Sequence, residues 1–355
     1  MNILAIDLSS RKSVYGISSE LGTKPAYGSV GTTPEAFHDL ILQRAPDKVV
    51  IEVGAQAGWV KDLCEALEVS CAVANTADEM WRWNRTRKKT DKKDVDRMLF
   101  LAHSDSLPTV YMPERDVRQW RQLIRYRHEL VNDQTQIKNR IKAVLVREGV
   151  KLKVAGSSWT KAYLEALDAL ALPMDACAAD TFWRGQLHVE VRRLAEVMGH
   201  LKAVTGRLNT YAKQAEQVKR LKTIPGVGPR TAEKLVATLD RPERFASPKQ
   251  VGCYLGLTQR IYQSGQMMRE GKISKMGDTH LRTLLVEAAW SAVNQGGPMK
   301  ALFDRVCRGM KARRKVAIVA VARHLGVIAW AMMRDGSTWQ PPPPEVVPGS
   351  NPAYQ

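Results

Sequence analysis

Cysteine is scarce in this chain and odd in number. The five thiols, Cys64, Cys71, Cys177, Cys253 and Cys307, form no CxxC pair. That excludes a zinc-ribbon spacing and a disulfide-framed scaffold, and it fits a reduced, cytoplasmic protein. Uninterrupted apolar runs are missing as well. The most apolar late stretch, Val316–Met333, carries Arg323 and His324, so a buried helix is expected there and not a membrane span. No lipidation motif and no lone basic amphipathic anchor is present. The opening Met-Asn-Ile-Leu-Ala-Ile-Asp is too short, and acidic too soon, for a signal peptide. Acidic residues are in deficit: 36 Asp and Glu stand against 54 Lys and Arg, a net charge of +18. That imbalance concerns partners more than fold, and the commonest polyanionic partner is nucleic acid. No membrane partner is expected.

The 355 residues are 44% hydrophobic, enough for real cores in two or three domains at roughly 100–200 residues each. The fold class expected is α/β followed by mainly α. Residues 1–110 alternate short apolar strands (2–8, 13–18, 26–30, 48–53, 69–74) with helical patterns at 33–43, 58–67 and from Asp91, where Val95, Met98, Leu99 and Ala102 share a face. Residues 111–220 form two helical arms. Over 114–150 an a/d seam of Trp120, Leu123, Leu130, Ile137, Ile141 and Val144 is interrupted by Arg127 and Gln134. Over about 183–220, Leu194, Val197, Leu201, Val204, Leu208, Tyr211, Ala215 and Val218 keep coiled-coil spacing without a miss. Such arms pair either within one chain or between chains. Residues 151–180 offer no readable pattern. Residues 221–335 read as a third, mostly helical domain, and 336–355, with four prolines after Gln340, as a disordered tail.

Four acids stand out by position. Asp7 and Glu52 end predicted strands, while Asp91 and Asp94, three apart, share one face of a predicted helix. Taken singly, each reads as a turn, cap or helix-start residue. Brought together, the four carboxylates would repel unless a hard cation such as Mg2+ or Mn2+ sat among them. The cations Arg82, Arg85, Arg87, Lys88, Lys89, Lys92 and Lys93 crowd the same stretch, a natural setting where phosphates approach metal ions.

Ile-Asp-Leu-Ser on the first strand, Val-Ile-Glu-Val-Gly around Glu52 and Lys-Thr-Asp-Lys-Lys-Asp-Val-Asp at 89–96 resemble the DEDD transposases of bacterial insertion sequences. The resemblance implies an N-terminal domain like the RuvC-type Holliday-junction resolvase, with an RNase H-like fold. It also implies a catalytic, Mg2+- or Mn2+-binding tetrad of Asp7, Glu52, Asp91 and Asp94. Asp96, on a different helix face from Asp91, is left out.

Farther on, Ile224-Pro225-Gly226-Val227-Gly228-Pro229-Arg230-Thr231-Ala232 resembles a helix–hairpin–helix motif. Gly226 and Gly228 permit a tight turn, and with Arg230 and the following helix start they suit a DNA phosphate. A plain interhelical turn is the alternative, and Pro229 removes one donor N–H. In the segment that follows, Arg260, Arg269, Lys272, Lys275 and Arg282 interleave with glycines and hydroxyls, as in a loop pressed on a nucleic-acid backbone. Within it, Ser264-Gly265 by itself is a turn signal. In the resembled family a Tyr-x-Ser-Gly serine precedes Gly-x-Ile-x-Lys-x-Gly and Leu-Arg, an order repeated here, so the resemblance implies that Ser264 is the nucleophile, with Ser274 as runner-up.

The functional expectation is a transposase or site-specific recombinase acting on donor and target DNA, with Ser264 forming a phosphoserine. The resemblance further implies a structured non-coding guide RNA, and strand exchange implies a homo-oligomer, dimer or tetramer. The expected location is the bacterial cytoplasm, at the nucleoid. Two rival readings remain: a metal-dependent resolvase-like nuclease that uses water, and a non-enzymatic architectural DNA binder, which leaves the four acids unexplained.

Overall fold

The computed structural model describes residues 1–78, 81, 90–152, 154, 158–264 and 267–341, with the backbone path alone over 261–264 and 267–270. Two compact units divide the chain, Met1–Arg118 and Gln119–Gln355. Most of the proline-rich tail, from residue 342, lies outside the described residues.

The first unit is mixed α/β. Strands β1 (Ile3–Asp7), β2 (Lys12–Ser18) and β3 (Ala26–Gly31) form an antiparallel meander, with Ile3 opposite Ser18 and Lys12 opposite Gly31. Helix α1 (Pro34–Arg44) leads to β4 (Lys48–Glu52), and α2 (Ala57–Ala66) leads to β5 (Ser70–Ala74). Both later strands run parallel to β1, in the order β3-β2-β1-β4-β5. Thr33 starts α1: its hydroxyl accepts from the Ala36 N–H, and Pro34 occupies the first turn.

β1 and β4 are apolar without alternation because helices cover both sheet faces. Leu4, Ile6, Val49 and Ile51 pack with Phe37 and Ile41 of α1 and with Val60 and Cys64 of α2. Ile3, Ala5 and Val50 pack on the other face with Val95, Met98, Leu99 and Ala102 of α3 (Asp91–His103). The helix face read from the sequence is thus the buried one.

The second unit is mainly helical. Helix α4 (Arg115–Arg147) and α6 (Phe182–Gln214) are both 33 residues long. Arg127 Nε donates to Thr205 Oγ1 (3.0 Å), Arg140 Nε to Glu190 Oε2 (3.1 Å) and Arg147 Nη2 to Gln186 Oε1 (3.0 Å). The partners run in opposite directions, so the arms pair antiparallel within one chain. Ile137, Ile141 and Val144 of α4 bury against Leu187, Val191 and Leu194 of α6. The 151–180 segment contains α5 (Lys161–Leu170), which starts where the Thr160 hydroxyl accepts from the Tyr163 N–H and which adds Leu167 to the same cluster.

The second arm departs from expectation at its end. Its spacing continues through Ala215 and Val218, yet the helix breaks at Ala215 (φ −81°, ψ 103°) and restarts as α7 (Glu216–Leu221). The break turns Val218 and Leu221, both at most 1% exposed, into the main core of the unit, while Tyr211 stays 38% exposed. Burial at the far end outweighs a straight helix.

That core gathers α8 (Pro229–Leu239), α9 (Pro248–Tyr254), α10 (Thr279–Asn294) and α11 (Gly297–Cys307) around α12 (Arg314–Asp335). Lys311–Asp335 is long and apolar enough by composition to cross a membrane. In this fold, however, Val321, Ala322, Leu325 and Ala329 of α12 are fully buried among the other helices, as the interrupting Arg323 and His324 suggest.

Ile141→Ala should lower unfolding free energy by about 2–5 kcal/mol in urea titrations, because the arm junction cannot collapse around the lost side chain. Glu129→Ala, at an exposed position of α4, should change it by less than about 0.5 kcal/mol.

Candidate functional site

The acids of the first unit are positioned by strand register. Parallel pairing sets Ile3 beside Lys48 and Ile6 beside Ile51. Continued by one residue, it sets Asp7 beside Glu52 at the C-terminal ends of neighbouring strands, about 4.8 Å apart along the hydrogen-bonding direction. Side chains alternate along a strand. Asp7 therefore follows Ile3 and Ala5, and Glu52 follows Val50, onto the face that α3 covers. Helix α3 begins after Thr90, whose carbonyl accepts from the N–H groups of Lys93 (2.8 Å) and Asp94 (3.2 Å). Asp94 turns inward, 8% exposed, beside Val95 and Met98, while Asp91 stays exposed in the first turn.

These groups fit a hard divalent cation in donor type, all being carboxylates, and Asp7, Glu52 and α3 share one sheet face. Among the described residues, no three His, Cys, Asp or Glu side chains stand close enough together to hold a metal ion. Asp96 faces elsewhere and accepts from the Tyr27 hydroxyl. Burial, and then Asp96, push that phenol up to about 12, and Lys92 Nζ lies 5.4 Å from its ring centroid. Lys93 is exposed on the same helix. Arg82, Arg85, Arg87, Lys88 and Lys89 lie outside the described residues.

In the second unit the glycine-rich turn joins α7 to α8. Gly226 has φ +80°, and a Cβ there would stand 2.3 Å from the Ala288 carbonyl oxygen and 2.6 Å from the Ala292 nitrogen. Close packing on α10 therefore demands this glycine. Gly228 is different: it precedes Pro229 at the start of α8, with φ −80° and nothing within 4 Å of a built Cβ. Arg230 turns toward its own chain. Its Nη1 lies 2.8 Å from Glu233 Oε2, and its Nη2 donates to Asn209 Oδ1.

Glu233 is 1% exposed, and burial pushes its carboxyl up to about 7 against the pull of Arg230 and Arg127. Sequence reading missed this buried charge. The available signal was an acid inside a helix otherwise rich in core residues, since α8 is buried from Thr231 through Leu239.

The serine segment, expected as a loop, is a β-hairpin. Strands β6 (Gln259–Ser264) and β7 (Met267–Ile273) pair antiparallel, with Ser264 opposite Met267 as the last pair. Backbone pairing organises a stretch whose glycines and hydroxyls alone read as irregular. Ser264 thus stands at the hairpin tip; its side chain, that of Arg269, and residues 265–266 lie outside the described residues. The hairpin base is anchored at Gly256, where φ is +69° and a Cβ would meet the Met276 carbonyl oxygen at 1.9 Å. Arg260 Nη2 donates to the Ser274 carbonyl (3.1 Å), and Arg282 Nη1 to that of Met276 (2.6 Å). Lys272 and Lys275 are exposed. The runner-up, Ser274, has its hydroxyl buried without a hydrogen-bond partner.

Residues 4–148 match a family model for DEDD transposases of the IS110 group, described as a transposase, and residues 218–304 match one described as the transposase IS116/IS110/IS902 family. The first segment contains all four acids, and the second contains the glycine turn and the serine hairpin. The chain is 27% identical over 318 residues to a probable family 20 transposase of Pseudomonas aeruginosa, covering 85% of this chain and 88% of the relative. It is 27% identical over 263 residues to the transposase for insertion sequence element IS1111A of Coxiella burnetii, covering 71% and 68%. A pilin gene-inverting protein of Moraxella bovis is 30% identical over 131 residues, covering 36% and 40%. The mixed sheet is consistent with an RNase H-like DEDD domain, and the class is that of enzymes that cut and rejoin DNA. Within that class, the chain belongs to the IS110/IS116/IS902 family of insertion-sequence transposases.

Two outcomes should follow. Gly226→Ala should cost about 2–4 kcal/mol, measured by urea unfolding, because both φ and the α10 backbone oppose a Cβ; Gly228→Ala should cost under about 1 kcal/mol. Separately, a carboxyl whose folded pKa is raised contributes stability fully below its unfolded value and loses it as pH rises through the folded value. Between about pH 4.5 and pH 7, Glu233 should therefore weaken the fold by on the order of 3 kcal/mol. Glu233→Gln should raise the melting temperature at pH 8 and leave it unchanged at pH 4.5, as followed by calorimetry.

Proposed function

We propose that this transposase cuts and rejoins DNA through a phosphoserine on Ser264, supported by the carboxylates Asp7, Glu52, Asp91 and Asp94. One observation carries the reading: β1 and β4 pair in parallel up to Ile6 beside Ile51, so Asp7 and Glu52 end neighbouring strands on the face covered by the helix that brings Asp94 inward. Like-charge crowding of that kind is kept where an ion or a developing charge balances it. The four acids would hold Mg2+ or Mn2+, which when bound would polarise the phosphate and stabilise the departing oxygen.

Ser264 Oγ forms a bond to phosphorus as the bond to the leaving deoxyribose oxygen breaks, and the serine proton ends on that oxygen. The phosphoserine retains the phosphoester bond energy, so reversing the step on a new DNA end rejoins the strand without an outside energy source. Exposed Lys92, Lys93, Lys272 and Lys275, with Arg260 and Arg282, supply charge for phosphate contact; Arg87, Lys88, Lys89 and Arg269 join them by position in sequence. Gly228 and the start of α8 form the phosphate side of the glycine turn, with Gly226 shaping it and Arg230 beside it.

Within this reading the chain works as a RuvC-like domain (1–110), arms (111–220) and a serine domain (221–335). Donor and target DNA are its substrates, and a structured non-coding RNA is its guide. A dimer or tetramer supplies the active sites for strand exchange. The net charge of +18 and the family membership support these partners.

The test is trapping. The full chain, Mg2+ and DNA carrying the element's ends are denatured and digested, and the phosphate-bearing side chain is found by mass spectrometry. Ser264 should carry it. Ser264→Ala should abolish adducts and joined products, and Asp7→Asn should lower both by about 1000-fold or more with an unchanged melting temperature. Undiminished cleavage by Ser264→Ala, lost only with Asp7→Asn, would make water the nucleophile.

A further inference from the structure

A cavity of about 570 Å³ opens in the second unit between α4, α8 and α10. We propose that it is a phosphate-binding site, lined by Arg125, His128, Lys234, His280 and Thr283, that holds a nucleic-acid backbone phosphate beside the serine hairpin.

The charges around it are unevenly spent. Lys234, 4% exposed at the base, is committed to Asp278, with Nζ 2.6 Å from Oδ2. The other oxygen of Asp278 accepts from the Leu281 N–H at 3.0 Å. That carboxylate is therefore satisfied by one cation and one amide, and it does not neutralise the rest of the lining. Arg125 remains at the mouth, exposed, together with two imidazoles.

Those imidazoles, His128 from α4 and His280 from α10, stack with centroids 3.7 Å apart and planes 15° from parallel. A second imidazole stacked this closely disfavours a cation on the half-buried His280 ring. Burial, followed by His128, Lys234 and Arg127, holds His280 down to about 4 against the opposite pull of Asp278. An arriving anion reverses that balance, because it compensates exactly the charge that the neighbours forbid. Imidazole N–H groups and a guanidinium are donors suited to phosphate oxygens.

The first turn of α10 is already capped by Asp278. The cavity greatly exceeds one phosphate group in volume, so it admits a phosphodiester with its flanking sugars. Its lining residues 278–283 follow β7 closely in sequence, just after Met276, against which Gly256 at the hairpin base is packed. That the phosphate belongs to DNA rests on the proposed function; that the cavity takes a phosphate does not.

The experiment follows the histidine ring protons of the full chain by NMR during titration with a short DNA duplex and, separately, with inorganic phosphate. The site predicts shifts of the His128 and His280 signals and a rise of the His280 pKa. Arg125→Gln and Thr283→Val, both at the exposed mouth, avoid the buried Lys234 pair and should fold. Arg125→Gln should weaken duplex binding about 5–10-fold, uniformly across sequences, and reduce the salt dependence by about one unit of log–log slope. Shifts with the duplex support the nucleic-acid source. Shifts with inorganic phosphate alone support the anion site and assign it to the free ion, and silence from both ligands overturns the proposal. Ser264→Ala protein, unable to form an adduct, should show the same shifts, which separates this result from any failure of the serine chemistry.

Discussion

Backbone pairing holds the ends of β1 and β4 side by side whether or not the charges they carry agree. The ladder fixes Asp7 next to Glu52 because the residues behind them are packed from both sides. Leu4, Ile6, Val49 and Ile51 are locked to α1 and α2, and Ile3, Ala5 and Val50 to α3. Slipping either strand by one residue would part the acids, but it would also send every apolar side chain to the wrong face. Two well-filled cores thus enforce the register that carries both acids. The second-strand partner, the covering helix and the inward Asp94 all depend on the same register.

The second unit uses charge differently. Glu190 is buried between Arg140 and Arg193 at the arm junction, and Lys234 is buried against Asp278. Buried pairs add little net stability, since desolvation offsets most of the attraction, but breaking one is costly. They fix which helices meet: α4 with α6, and α8 with the start of α10. Apolar contacts alone would let long helices slide by a turn. Arg127, the polar intrusion in the predicted seam, donates to Thr205 and so helps set the register of the arms.

Strand positions and the α3 face were readable because period-two and period-3.6 patterns survive wherever one core covers each face. The acids were readable as strand ends and a helix start, although their common face emerges only when the parallel register is known. The hairpin around Ser264 was hidden because its glycines and cations imitate a loop, and antiparallel pairing is a relation between residues that local composition does not carry. The break at Ala215 was hidden for the opposite reason: the heptad pattern runs straight through it, and only a competing core decides where the helix turns. Gly226 was legible as a tight turn, but its reason lies in the backbone of α10, more than sixty residues later in the chain. Glu233 and the His128–His280 stack join residues from distant helices and leave no local pattern.

Cations in this protein separate by what they are bonded to. Arg230, Lys234 and Arg140 meet carboxylates, and such a pair presents little net charge to a ligand. Arg260 and Arg282 instead donate to the backbone carbonyls of Ser274 and Met276. A carbonyl orients a guanidinium without cancelling its charge, so both arginines are held in place at the base of the hairpin. That difference matters for a polyanion, whose affinity follows net charge neutralised and not the count of basic residues. Positive charge is pre-positioned along the stretch from β6 to the start of α10, whereas the basic residues of α8 are largely spent within the fold.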